Sequence, residues 1–162
     1  LRRLLSEMLP DPEVLGLLAL MILHESRRTA RVSETGDLIL LEDQDRNFWN
    51  QELIQEGTLL VEWAFAASTV GVYAIQAAIA AVHAVSRSTS ETDWSQIVSL
   101  YDLLVTAQSS PIVELNRAVA IAMRDGHVAG LQLIDSILVE GKLSDRGAGV
   151  QCGWNEVRCW QQ

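Results

Sequence analysis

Cysteine is nearly absent from this chain. The two it has, Cys152 and Cys159, lie among the last residues, so no disulfide can staple the body of the fold. Such sparse usage fits a reducing compartment, and a cytoplasmic protein is the expectation. Basic residues are scarce as well: twelve Lys and Arg stand against twenty-one Asp and Glu, a formal net charge of −9. That balance repels a polyphosphate backbone unless the few cations cluster, so direct binding of nucleic acid is not expected. Long apolar runs are also missing. The longest, Val14 to Leu23 with Gly16 inside it, falls far short of the about 20 residues that cross a bilayer, so it reads as a buried helix and no membrane partner is expected. No basic segment leads into a cleavable apolar one at the start. Instead Leu1, Arg2, Arg3, Leu4, Leu5 and Met8 have the spacing of an amphipathic helix tail. With no Met at position 1, the expectation is a fragment of a longer protein.

The usual catalytic constellations are wanting too. His24-Glu25 opens like a zinc-protease motif, but Arg28 stands where the second zinc ligand belongs. Asp43, Asp45 and Asn47 have the alternation of a calcium loop, yet Phe48 replaces its glycine and Ile54 its closing glutamate. There is no nucleophile elbow, phosphate-binding loop or cysteine-histidine cluster, and Gly147, Gly149 and Gly153 do not form a dinucleotide fingerprint. A non-enzymatic protein without metal or cofactor is therefore expected.

What the sequence does have is apolar content and helix punctuation. At 162 residues and 49% hydrophobic, it can bury one sizeable core. Asp11-Pro12 and Ser110-Pro111 each place a capping oxygen before a proline at the first helical position, where its missing N–H is harmless. Asp125-Gly126 interrupts two segments of helical spacing, and Ser90, Thr92 and Asp93 offer caps before Trp94. The spacing predicts helices near 1–9, 12–27, 46–66, 71–85, 93–107, 111–124 and 127–140. Between the second and third, Thr35-Gly36-Asp37 signals a turn and Leu38 to Leu41 an aperiodic apolar run, giving one short extended loop near 36–45. Asp45 is placed to cap the helix that carries Phe48, Trp49 and Leu53.

The helices repeat. Ile75-Gln76-Ala77-Ala78-Ile79-Ala80 aligns with Leu115-Asn116-Arg117-Ala118-Val119-Ala120 at an offset of 40 residues, and Leu53-Ile54 with Leu59-Leu60-Val61 aligns with Ile97-Val98 and Leu103-Leu104-Val105 at an offset of 44. The difference fits within the loop from Ser86 to Thr92. These are helix-pair repeats of nearly the tetratricopeptide size, whose small residues permit close stacking. The expected fold is all-α: stacked antiparallel hairpins in a tetratricopeptide-like right-handed superhelix over 1–145, followed by an atypical tail at 146–162.

Several motifs carry a resemblance. Gly36-Asp37-Leu38-Ile39-Leu40-Leu41-Glu42-Asp43-Gln44-Asp45-Arg46, with Trp49 after it, is similar to the signature of the C-terminal helical extension of one group of extracytoplasmic-function RNA polymerase sigma factors. Pro12 to Met21, Tyr73 with Gln76 to His83, Thr92-Asp93-Trp94, Ile97, Leu100-Tyr101-Asp102 and Ser110-Pro111 with Leu115 to Ala120 resemble the same extension in the same order. The match runs over roughly 1–145 and departs at the glycine- and tryptophan-bearing tail. The resemblance implies a piece of a longer transcription factor whose two sigma regions are not in this sequence. It would act on transcription through contacts with those regions of the same polypeptide, and through them RNA polymerase, or with another protein.

The candidate contact residues are Glu42, Asp43, Gln44, Asp45, Arg46 and Trp49 in the acidic loop, and Asn116 and Arg117 on the later alanine-rich helix. For each there is a plainer reading. The acidic run can be a cap and ion-pair knot, Arg117 can pair with Asp102 or Glu114, and His83 can be an interior histidine. His24, Arg27, Arg28 and Arg31 read as a basic helix end opposite its dipole, with a bound anion as the alternative. The competing functional class is a free-standing sensor that takes a small ligand between its helices.

Overall fold

The structure, a computed structural model, describes residues 11–139 except Glu34, Glu42 and Ser68. The helix expected at 1–9 and the tail at 146–162 lie outside the described residues. Within them the protein is all-α, with helices α1 (Pro12–Ser26), α2 (Gln51–Phe65), α3 (Val72–Val85), α4 (Trp94–Ala107), α5 (Pro111–Asp125) and α6 (His127–Val139). The chain forms two compact units, Leu1–Asp93 and Trp94–Gln162.

In the first unit α1 packs on both α2 and α3, which also pack on each other. Leu18, Ala19 and Ile22 of α1 meet Leu60 of α2 and Ala77 of α3 in a shared core. Asp11 accepts a hydrogen bond from the Glu13 N–H at 2.8 Å, with Pro12 at the first helical position, as its sequence predicts. Gly16 explains how closely α1 approaches α3: a β-carbon there would lie 2.4 Å from the Ala74 nitrogen. One turn earlier, Glu13 reaches the start of α3 and accepts from the Tyr73 N–H at 3.0 Å. The negative carboxylate thereby serves the exposed donors of a helix that has no side-chain cap of its own at Gly71.

In the second unit α5 packs between α4 and α6. Ser110 caps α5 by accepting from the Val113 N–H at 3.2 Å, and Gly126, at φ 100°, ends it. Gly130 is held against α5, where a β-carbon would come within 2.5 Å of that of Ala122.

The repeat is visible in burial. Ile54 and Val98 are buried, as are Leu60 and Leu104, while Leu59 and Leu103, one position earlier, both face solvent. In the second helix of each pair, Ile75, Ala78 and Ile79 correspond to Leu115, Ala118 and Val119, all buried. The two sequence offsets therefore mark equivalent positions on the hairpins α2–α3 and α4–α5.

One boundary differs from expectation. The helix expected over 46–66 is two pieces, a 3-10 turn at Arg46–Phe48 and then α2 from Gln51. Trp49 and Asn50 are extended between them, and Asn50 rather than Asp45 caps α2, accepting from the Leu53 N–H at 3.0 Å. The break follows from two competing demands on this stretch: Trp49 turns into the core, and the Asn50 N–H goes to the Ser26 carbonyl at 2.8 Å.

Candidate interaction site

The acidic loop begins as a tight reversal. Val32 and Leu38 form an isolated antiparallel bridge, with Gly36 at φ 88° in the turn between them. Only glycine holds such a φ without strain. The Ser33 hydroxyl accepts from the Asp37 N–H at 3.0 Å and lies 2.7 Å from the Thr35 hydroxyl, which donates to the Asp37 carboxylate. Beyond it Gln44 turns inward, only 7% exposed, and its amide donates to the Ile39 carbonyl at 3.0 Å. Asp45 accepts from both the backbone and the side-chain amides of Asn47, at 2.9 and 2.8 Å, and so caps the 3-10 turn.

Arg46 is the hub. Its Nη1 donates to the His83 carbonyl at 2.8 Å and to the Ser86 carbonyl at 2.5 Å, filling acceptors that the end of α3 leaves open. The guanidinium carbon lies 4.6 Å from the centre of the Trp49 ring, a cation–π contact, and Trp49 itself is 4% exposed. Burial lowers the Arg46 pKa from its usual value, but a guanidinium keeps its proton. The Thr29 hydroxyl donates to the Phe48 carbonyl at 2.8 Å, so the same stretch is also tied to the end of α1.

The loop is thus a strap that closes the C-terminal ends of two helices. Of the residues predicted for contact, Gln44 and Trp49 are inside, Arg46 is committed to carbonyls, and Asp43 and Asp45 face solvent. Glu42 lies outside the described residues. Neither Asp43 nor Asp45 makes an ion pair among the described residues; the knot is held by caps and by Arg46.

Beside the strap are two histidines kept neutral. His83 is 5% exposed, and burial, then Arg27 and Arg46, lower its pKa to about 3. At His24 burial, Arg27 and Arg31 lower it to about 4, and Nδ1 lies 3.2 Å from Arg27 Nη2, where it can accept only as a neutral ring. His83 is the interior histidine its apolar neighbours suggested. The role of Arg46 at the end of α3 was not foreseen. The signal was faint: one arginine closing an acidic run, next to a tryptophan.

Asn116 and Arg117 belong to the second unit. Arg117 Nε pairs with Asp102 Oδ1 at 2.5 Å, joining α5 to α4, which is the structural pairing anticipated. Asn116 lines a shallow cleft with Trp94, Ile97, Tyr101, Val119 and Ala120, whose cavity volume of about 10 Å³ admits a single water. No group of three His, Cys, Asp or Glu side chains among the described residues is placed to hold a metal ion, and no helix among them is long and apolar enough to cross a membrane.

Residues 1–65 match the profile of a family of unknown function, DUF6596. That stretch contains α1, the strap and α2. The chain is also similar to the uncharacterized protein R00370 of Rhizobium meliloti (strain 1021), 44% identical over 138 residues. The alignment takes in 85% of this chain and 33% of that protein, so the chain spans about a third of its relative's length. No solved structure matches the chain.

Proposed function

We propose that this chain is the regulatory, protein-binding part of an alternative sigma factor, acting in the cytoplasm through contacts with sigma regions of the same polypeptide or with a partner, and performing no chemistry itself. The observation that carries the reading is the strap. The stretch Gly36 to Arg46 with Trp49, where the resemblance to sigma-factor extensions is most distinctive, is also where side chains tie the ends of α1 and α3 together. A motif needed to build a particular helical scaffold is one that a family sharing that scaffold would keep. The equivalent burial of α2–α3 and α4–α5 supports a repeated helical hairpin of the tetratricopeptide-like kind, a repeat that suits protein binding. The length of the relative is in keeping with further regions beyond the matched part.

The test uses the full-length Rhizobium relative. It is expected to bind core RNA polymerase and to direct transcription, and the 162-residue chain, added in trans to that relative's remaining regions in a calorimeter, is expected to bind them more weakly as salt rises. A relative that neither binds polymerase nor supports transcription would remove the sigma-factor reading. Polymerase binding without any association of the chain in trans would move its partner outside the polypeptide.

A further inference from the structure

We propose that residues 150–160 fold back on α6 as an antiparallel amphipathic helix and cover its exposed apolar face. The inference stands apart from the sigma-factor reading. α6 packs closely on one described helix, α5, against which Gly130 is pressed. A second side of α6 is not the polar one that a surface helix shows to water. Val128, Leu131 and Leu138 are 71%, 58% and 54% exposed. With half-buried Ile134 they recur every three or four residues, so all four share that side. α6 carries a single carboxylate, Asp135, and no Lys or Arg, so charge does little to solvate it.

The occupant follows in the same chain. Val150, Trp154, Val157 and Trp160 stand at helical spacing, whereas Gln151, Asn155, Glu156 and Arg158 between them are polar. Wound as a helix, that spacing gathers the four apolar side chains into one stripe roughly 120° wide, the width of a core-facing surface. Two tryptophan rings carry large apolar areas whose burial is favourable. Residues 140–149, three of them glycine, separate α6 from Val150. That is more than the about 2–8 residues that usually join neighbouring helices, so the chain has room to reverse. A stretch tethered so near meets α6 at an effective concentration that a separate partner would have to supply in bulk. Gly153 makes it a poor helix by itself, and so short a helix is marginal in water, so its order depends on the face it covers. In the antiparallel arrangement Val150 lies toward Leu138 and Trp160 toward Val128.

The experiment uses the full chain, with its two thiols as reporters. Cys152 and Cys159 are the only cysteines, and the same helical spacing sets both away from the apolar stripe, so a nitroxide on either leaves the contact free. With Cys152→Ser, a label on Cys159 is expected to erase most of the amide NMR signal near Val128 and Leu131. With Cys159→Ser, a label on Cys152 should act most strongly near Leu138. Leu131→Asp with Leu138→Asp, at exposed positions, should restore the α6 signals, and so should Trp154→Ser with Trp160→Ser. Isotope-labelled chain mixed with spin-labelled, isotope-free chain should lose no signal, because the contact lies within one molecule. The proposal is overturned if the label on Cys159 leaves the Val128 end of α6 unaffected, or if either pair of substitutions leaves the broadening in place. It is overturned equally if the mixed sample broadens as strongly as the doubly labelled chain, which would make the occupant a second copy.

Discussion

Arg46 reaches two backbone carbonyls and one indole ring from a loop otherwise rich in acid, and its energetic role can be separated from that of its neighbours. Arg46→Ala leaves the His83 and Ser86 carbonyls without their charged donor and removes the contact with Trp49. A loss of about 2–3 kcal/mol in urea denaturation is expected. Arg46→Lys should recover part of it, since an ammonium cannot reproduce the planar fork. Asp43→Ala, at an exposed position, should change stability by no more than about 0.5 kcal/mol. Equal costs at positions 43 and 46 would mean that the acidic side chain is structural after all. The histidines give a second residue-scale expectation. In the unfolded chain they take up protons below about pH 6.5, whereas in the fold His24 and His83 stay neutral down to about 4 and about 3. The unfolded state then binds more protons throughout that window, so stability falls as pH drops from 6.5 and the loss is complete once both folded values have been passed. Carboxylates contribute to acid unfolding too, so the informative measurement is the difference from His83→Gln. Between pH 7 and pH 5 the variant should lose markedly less stability than the wild type, and parallel pH profiles would show that His83 is not the group responsible.

The helices themselves were readable because their signals are local. Asp11-Pro12 and Ser110-Pro111 cap α1 and α5 as expected, and Asp125-Gly126 ends α5, since each depends on the chemistry of a few adjacent residues. The break at Trp49 was not readable, because it is imposed by a carbonyl at Ser26 and by the core that receives the indole, both distant in sequence. Gly16 belongs with the second kind. In sequence it merely interrupts an apolar run, yet in the fold it is the point where α1 meets the backbone of α3. Gly16→Ala would gain up to about 1 kcal/mol of helix propensity but place a methyl carbon 2.4 Å from the Ala74 nitrogen. Because the obstruction is backbone, the helices must separate, and a net loss of about 1–3 kcal/mol is expected. At Gly71→Ala the nearest atoms are those of the Glu13 carboxylate, which can swing away at the expense of its hydrogen bond to Tyr73, so a smaller loss is expected there. Thermal unfolding of the two variants side by side tests that order, and a milder effect at Gly16 than at Gly71 would contradict the tight crossing.

For the whole molecule, composition and repeat spacing foretold an all-α protein with paired helices, because period and offset survive without knowledge of contacts. The candidate site was legible in place but not in role: the loop at 36–46 stood out, yet which of its side chains turn inward depends on carbonyls supplied by α1 and α3. Charge is the one molecular property that composition settles alone. At −9 over 162 residues, the chain has no excess of cations to replace the counterions of a duplex. Among its basic groups within the fold, Arg46 is occupied with carbonyls, while Arg28, Arg117 and Arg124 pair with Glu25, Asp102 and Asp125. The isolated chain should therefore leave a DNA duplex unshifted on a native gel at physiological salt up to about 100 μM protein, the weak end of ordinary non-specific binding. If the sigma-factor reading holds, the full-length relative should shift promoter DNA, in the presence of polymerase, through residues that this chain does not contain. A shift by the chain alone, lost on adding salt, would instead require its few cations to gather on one surface, and both the reading of its charge and its assignment as a protein-binding region would have to be abandoned together.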